Sequence, residues 1–181
     1  RIHNYEQFLE TYRSAREAGF DNINIDLMSA IPDQTYEGWI HNLRTVAGLD
    51  PEHISAYSLI IEEGTPFASQ TLNLPDEDAE YNMYEATAQI LREYGFEQYE
   101  ISNYAKKGRE CRHNVGYWIR QDYLGFGLGA SALYGKERFV NTQDMKKYLE
   151  NSRNPEKIRE KEPSLTREDE MAEFMFLGLR M

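Results

Sequence analysis

Apolar residues recur three and four positions apart at Tyr5, Phe8, Leu9, Tyr12 and Ala15 and stop before Gly19, the pattern of a helix closed by a glycine. The period then shortens to two. Across Asn22–Met28, Ile23, Ile25 and Leu27 fall on one face of a strand and Asn24, Asp26 and Met28 on the other. Pro32 and Asp33 make a turn, and Trp39, Ile40, Leu43, Val46 and Ala47 mark a second helix. Asp50-Pro51 punctuates, and residues 53–60 read as a second strand. After a loop through Gly64-Thr65-Pro66 and Pro75, residues 77–94 predict a third helix with Tyr81, Tyr84, Ala88 and Leu91 on its core side. Residues 96–102 predict a third strand.

Helix–strand units joined by short links predict an α/β fold with a parallel sheet. In such a sheet one strand face meets the helices and the other lines an interior. The apolar set of the first strand takes the helix side, so Asn24 and Asp26 turn inward. Burying a carboxylate costs several kcal/mol, on the order of the desolvation of any unpaired charge, unless it is paired. Asp26 therefore serves either a polar ligand or a structural hydrogen bond at the strand end. Beyond residue 105 the character changes. Residues 117–141 predict short antiparallel strands, with Arg138–Asn141 the last of them, followed by a helix near 143–151 and a charged link over 153–162. Thr166 with Asp169 three residues on predicts a capping box at the start of a final helix.

Composition narrows the partners. With 181 residues the chain holds one good core, or one core and a small appendage. A formal charge of −11 argues against nucleic acid and anionic lipid surfaces as partners. No apolar run reaches the roughly 18–20 residues of a membrane span, and no signal-like segment opens the chain, so the cytoplasm is the expected compartment. One cysteine, Cys111, excludes an internal disulfide and a cysteine-rich metal cage built from this chain alone. The chain starts at Arg1 inside a helical pattern and stops at Met181 in an apolar run. It is expected to be a fragment, inactive by itself and, with an unpaired strand edge near residue 23, prone to self-association.

The densest chemistry lies in residues 111–131. His113-Asn114 precedes Tyr117-Trp118, and glycines follow at 125, 127 and 129. A glycine loop allows close approach to a bound group, or forms a cluster of tight turns. Its G-x-G-x-G spacing is not the dinucleotide fingerprint, which opens a helix in a βαβ unit. His113 suits either a ligand to a metal held in a flat, partly apolar group or a hydrogen bond to a loop carbonyl. Cys111 is a second possible ligand or an inert thiol. Asn114 suits a loop-fixing role. Tyr117 and Trp118 suit either core packing or stacking on a flat ligand.

Four segments in this order carry a family resemblance: I-N-I-D-L-M-S-A-I-P-D-Q-T at 23–35, Y-E-I-S-N-Y-A at 99–105, H-N-x-x-Y-W at 113–118 and G-x-G-x-G-A-S at 125–131. Together they resemble the oxygen-independent coproporphyrinogen III oxidase (HemN) family of radical SAM proteins. H-N-x-x-Y-W resembles its HemW branch, whose members are haem chaperones, and sets it apart from the true oxidases.

The resemblance implies the second half of a partial (β/α)6 radical SAM barrel over residues 1–105. A C-terminal extension of small antiparallel strands and helices follows over 106–181. It implies S-adenosylmethionine (SAM) and a [4Fe–4S] cluster in the parent, the cluster cysteines lying outside this chain, and haem or porphyrin with haem-accepting apo-proteins as partners. By position, Arg1 and Asp26 resemble SAM contacts, and Ile60 and Ser131 resemble residues lining a second SAM in the oxidases. His113, Asn114, Tyr117 and Trp118 belong to the haem-branch motif, with His113 the candidate iron ligand. Gly125 and Gly127 are implied to pack over a cofactor. The implied function is haem binding and transfer; the alternative is oxidative decarboxylation of coproporphyrinogen III.

Overall fold

The computed structural model describes residues 3–161 and 163–181. The chain divides into two compact units, Arg1–Cys111 and Arg112–Met181.

The first unit runs α1 (Tyr5–Glu17), β1 (Asn24–Ser29), α2 (Tyr36–Ala47), β2 (His53–Ser58), α3 (Glu77–Glu93), β3 (Glu97–Glu100) and β4 (Asn103–Ala105). Each long helix starts on a side chain that accepts an otherwise orphaned amide. Asn4 and Gln7 form a reciprocal capping box on α1, Thr35 takes the Gly38 amide on α2, and Asp76 takes that of Ala79 on α3. After α1 the chain turns through Gly19 at φ +91°.

The strands order as β1-β2-β4-β3. β1 and β2 are parallel, with Asp26 opposite Ser55 and Asn24 opposite His53. The expected all-parallel sheet is corrected here: β4 is antiparallel to both β2 and β3. The cause is a tight reversal after Glu100. Its buried carboxylate accepts the Ser102 amide at 2.8 Å and the Asn103 side chain at 2.5 Å, which folds residues 103–105 back between β2 and β3. Tyr104 enters the core as a result.

That core lies on the helix side of the sheet, where Ile25, Ile54 and Tyr104 meet Tyr12, Trp39, Leu43, Met83, Ile90, Leu91 and Phe96. Trp39, 1 % exposed, ties α2 to α3: its indole N–H is shared between the Met83 carbonyl at 3.1 Å and Thr87 Oγ1 at 2.9 Å. Tyr81 and Tyr84 are not in this core. Tyr81 is 62 % exposed, and both line a cleft of about 400 Å³ with Ile101 and Ser102. The core side of α3 is instead Met83, Ala86, Thr87, Ile90 and Leu91, because three- and four-residue spacing from Met83, not from Tyr81, tracks the sheet.

At the amino ends of the strands, Arg16 reaches Glu52 at 2.9 Å, the Tyr12 hydroxyl at 2.8 Å and the Asp50 carbonyl at 2.9 Å. Glu52 also accepts the Ile23 amide at 2.8 Å. Burial pushes this carboxyl up, but the Arg16 and Ile23 hydrogen bonds outweigh it and hold the group below its usual range.

The second unit runs α4 (Arg112–Trp118), β5 (Ser131–Tyr134), β6 (Glu137–Asn141), α5 (Met145–Asn151), α6 (Pro155–Ile158), β7 (Arg159–Lys161) and α7 (Arg167–Gly178). Residues 112–118 are helical, not the start of the expected strands; the strands begin at Ser131 and form an antiparallel sheet ordered β5-β6-β7. The charged link also proves ordered, since Arg159–Lys161 pairs with Phe139–Asn141 as the third strand. Arg159 covers the Phe139 ring at 4.4 Å, so a charged sequence still contributes packing. The Thr166–Asp169 capping box forms, with the Thr166 amide donating to Asp169 at 2.9 Å and the Asp169 amide donating to Thr166 at 3.1 Å. Glu173 of α7 is buried between Arg120 at 2.9 Å and Arg138 at 2.5 Å.

Candidate functional site

The sheet face away from the helices is polar, and alternation puts it there. With Ile25 packed in the core, Asn24 and Asp26 turn to the opposite face. The parallel register sets His53 and Ser55 beside them. These groups form a chain of hydrogen bonds. Asn24 Nδ2 donates to Asp26 Oδ1 at 2.7 Å, and Asn24 Oδ1 lies 2.6 Å from His53 Nδ1 and accepts from Ser55 Oγ at 3.2 Å. His53 Nε2 lies 2.8 Å from the Tyr99 hydroxyl, which accepts the Cys111 amide at 3.3 Å.

His53 is 5 % exposed and the Tyr99 ring packs edge-on against it. Burial lowers the His53 pKa from its ordinary value, against the opposing pull of Asp26, Glu100 and Glu110. Burial also pushes the Tyr99 hydroxyl up to about 12. Asp26 itself is exposed, held on one oxygen by Asn24. An ionised carboxylate in that setting can accept from a ligand hydroxyl or ammonium group.

His53 and Ser55 belong to none of the sequence motifs, and Tyr99 enters only as the first residue of Y-E-I-S-N-Y-A, with no site role assigned. The signal was present: His53-Ile-Ser-Ala-Tyr57 alternates with period two, and Ile54 fixes which set faces the core. Tyr99 was not readable, because the register shift between Gln98 and Glu100 decides where it points.

In the second unit the haem-branch motif lies on one short helix. His113, Asn114, Tyr117 and Trp118 all belong to α4, so the loop roles considered for His113 and Asn114 give way to helical ones. His113 and Tyr117 stand one turn apart, their rings edge-to-face at 4.6 Å, and Tyr117 meets Tyr123 in the same way at 4.6 Å. His113 is exposed, and its ring nitrogens make no hydrogen bond among the described residues. Trp118 is stacked under the Arg180 guanidinium at 4.2 Å. A packing role thus accounts for Trp118, while His113 keeps an accessible imidazole.

The glycine loop divides. At Gly125 a Cβ would lie 2.1 Å from the Ser131 carbonyl oxygen, so this glycine is required by β5 backbone crossing it. Gly127, at φ +106° with open space around it, is required by its turn. Between them Phe126 is 84 % exposed. Gly125 and Ser131 are therefore brought together as backbone neighbours. Ile60 is 74 % exposed in the loop after β2, against Ile61 and Phe67. Arg1 lies outside the described residues.

No family model matches the chain. The solved structure of coproporphyrinogen III oxidase (HemN) from Escherichia coli, described as a Radical SAM enzyme, matches with a TM-score of 0.81 over 99 % of this chain and 45 % of that one, at 22 % identity. The fold is thus the α/β fold of the corresponding part of HemN. In sequence the chain is 39 % identical to "Heme chaperone HemW" of Bacillus subtilis over 99 % of its own length and 48 % of the relative's. It is 41 % identical to HemW of Escherichia coli over 77 % of the chain and 36 % of the relative. It is also 32 % identical to "Radical S-adenosyl methionine domain-containing protein 1, mitochondrial" of Danio rerio over 80 % of the chain and 35 % of the relative. The chain belongs to the HemW-like branch of the HemN family of radical SAM proteins. It spans about half the length of the curated relatives it matches.

The donor sets sort the family's cofactors. The exposed Asp26 carboxylate suits a hydroxyl- and ammonium-bearing ligand such as SAM. The accessible His113 imidazole suits haem iron. A [4Fe–4S] cluster does not fit these residues: it is held by several thiolates, and the sequence has one cysteine. Among the described residues no group of three or more His, Cys, Asp or Glu could hold a metal ion. Among them, too, no helix is long and apolar enough to cross a membrane.

Proposed function

We propose that the protein binds haem through His113 and passes it to apo-proteins in the cytoplasm, with SAM held on the polar sheet face by Asp26. The observation that carries this reading is the exposed imidazole of His113, without a hydrogen bond among the described residues, on a helix where Tyr117 and Trp118 are occupied by ring and cation contacts. Tyr117 packs edge-to-face against the His113 ring, and the imidazole, which makes no hydrogen bond among the described residues, would be free to ligate haem iron. The likeness to proteins described as heme chaperones supports the same direction. In this reading residues 1–105 are the second half of a radical SAM barrel and 106–181 its C-terminal extension. By the family resemblance Arg1 and Asp26 are candidate SAM contacts, and Ile60 and Ser131 are each a candidate contact for a further SAM. Haem, when bound, would supply the iron, and His113 would supply an imidazole to hold it.

The likeness of fold to coproporphyrinogen III oxidase favours a second reading, radical-based decarboxylation of coproporphyrinogen III. One experiment separates the two. The protein, expressed in a form that includes the cluster cysteines its family carries, is loaded with haem and mixed with a haem-free acceptor such as apo-myoglobin, and in parallel the same form with cluster, SAM and reductant is given coproporphyrinogen III. Haem appearing in the acceptor faster than from free haem controls, with no protoporphyrinogen formed, is the expected result. Enzymatic turnover of coproporphyrinogen III would replace the first reading by the second.

A further inference from the structure

Chemistry fixes the direction of the hydrogen-bond chain on the polar sheet face at both of its ends. The Cys111 amide can only donate, and it points to the Tyr99 oxygen at 3.3 Å. The ionised Asp26 carboxylate can only accept, and it takes Asn24 Nδ2 at 2.7 Å. Flipping the Asn24 amide would set its oxygen against that carboxylate, two acceptors in contact, so the amide has one orientation. Asn24 Oδ1 is then the acceptor facing His53 Nδ1 at 2.6 Å and Ser55 Oγ at 3.2 Å. His53 Nδ1 must therefore carry a proton. A neutral imidazole has a single N–H, which leaves Nε2 as a lone pair that accepts the Tyr99 hydroxyl at 2.8 Å.

The geometry points to His53 as a positioning residue: a neutral, Nδ1-protonated imidazole at the centre of a one-directional relay, Cys111 N–H to Tyr99 to His53 to Asn24, that sets the orientation of the Asp26 carboxylate. Every donor in the relay has one acceptor and every turn of a side chain is dictated by its neighbour. Breaking any link frees Asn24 to rotate and Asp26 to leave its orientation. At its centre, where His53 and Ser55 are buried, such a relay is worth keeping only if complete, since a half-satisfied buried polar group costs more than an apolar contact. The charged groups around the ring are Asp26 on β1, Glu100 on β3 and Glu110 before Cys111, all favouring a protonated ring; burial of His53 acts against them. A protonated ring would present an N–H to Tyr99, reversing that one link and leaving the Tyr99 oxygen with two donors, the ring and the Cys111 amide, while the His53–Asn24–Asp26 links keep their direction.

The functional half of this inference rests on the reading of Asp26 as a SAM contact, and the two are separable by experiment. In the 15N-labelled protein, long-range proton–nitrogen correlation spectra of His53 should show Nδ1 protonated and Nε2 bare near neutral pH. In Tyr99→Phe the Nε2 resonance should move as its hydrogen bond is lost. SAM affinity, measured by calorimetry on the same proteins, should fall about tenfold in Tyr99→Phe and in His53→Leu, the loss of roughly one well-made hydrogen bond. His53→Gln, which can still donate to Asn24 and accept from Tyr99, should recover to within about threefold of wild type, a rescue not expected of a merely space-filling residue. An Nε2-protonated ring, or SAM affinity unchanged in both Tyr99→Phe and His53→Leu, overturns the proposal. A wild-type protein that shows the Nδ1-protonated ring but binds no SAM supports the relay and removes the reading of Asp26.

Discussion

Gly125→Ala tests whether the glycine loop is shaped by its own chain or kept open for a cofactor. The added Cβ would stand 2.1 Å from the Ser131 carbonyl oxygen and 2.8 Å from its carbon, both backbone atoms. Ordinary contact needs about 3.4 Å or more, so β5 must retreat by more than an ångström. That movement strains the bridge in which the Tyr123 amide donates to Leu133 at 2.7 Å and the Leu133 amide donates to Tyr123 at 3.0 Å. Two lost hydrogen bonds at about 1 kcal/mol each, with overpacking of about 1–3 kcal/mol, give a cost of roughly 3–5 kcal/mol. Gly127→Ala meets nothing within contact range and carries only the cost of φ +106°, about 1–2 kcal/mol. Urea unfolding combined with hydrogen exchange on the segments holding Tyr123 and Leu133 should rank the variants in that order, without any ligand present. Equal stability of Gly125→Ala and wild type would refute the crossing of β5 over Gly125. A loss larger in Gly127→Ala would do the same for the ranking.

Trp39→Phe should destabilise the first unit by about 2–4 kcal/mol through lost volume and the loss of the indole N–H from the Met83 carbonyl and the Thr87 hydroxyl, read from a urea midpoint. Glu173→Gln should cost about 3 kcal/mol or more, because Arg120 and Arg138 lose the charge between them; a midpoint shift confined to the second unit checks it. Acidification should weaken the first unit in two stages. His53 has its pKa lowered on folding, so its stabilising contribution is full above the ordinary 6.5 and declines as pH falls below it. Glu52 is also lowered, so the Arg16–Glu52 contribution holds above 4.5 and is lost as pH falls further. Stability profiles of His53→Gln and Glu52→Gln should each lack one stage.

The first unit was legible in the sequence wherever burial alternated cleanly. Ile23, Ile25 and Leu27 fix the orientation of β1, and with it the turn of Asp26 to the face away from the helices; the burial expected for its carboxylate does not follow, since Asp26 is exposed there. The β3–β4 hairpin was not legible, since it depends on the Glu100 carboxylate finding the Ser102 amide and the Asn103 side chain. His53 was overlooked because its partner, Asn24, is adjacent only through strand register. In the second unit, Tyr117 and Trp118 fall at the start of the strands expected over 117–141, and the seven residues of α4 carry too little periodicity to reveal a helix. The helix proves decisive for chemistry, since it sets His113 and Tyr117 one turn apart on the same side.

The central claim is that His113 ligates haem. Titrating haem into the protein and into His113→Ala, with the Soret band followed to saturation, tests it most directly. The account predicts a shifted band saturating at one haem per chain in wild type, and at least about tenfold weaker binding with an altered band in His113→Ala. Identical bands and affinities in the two proteins would contradict it.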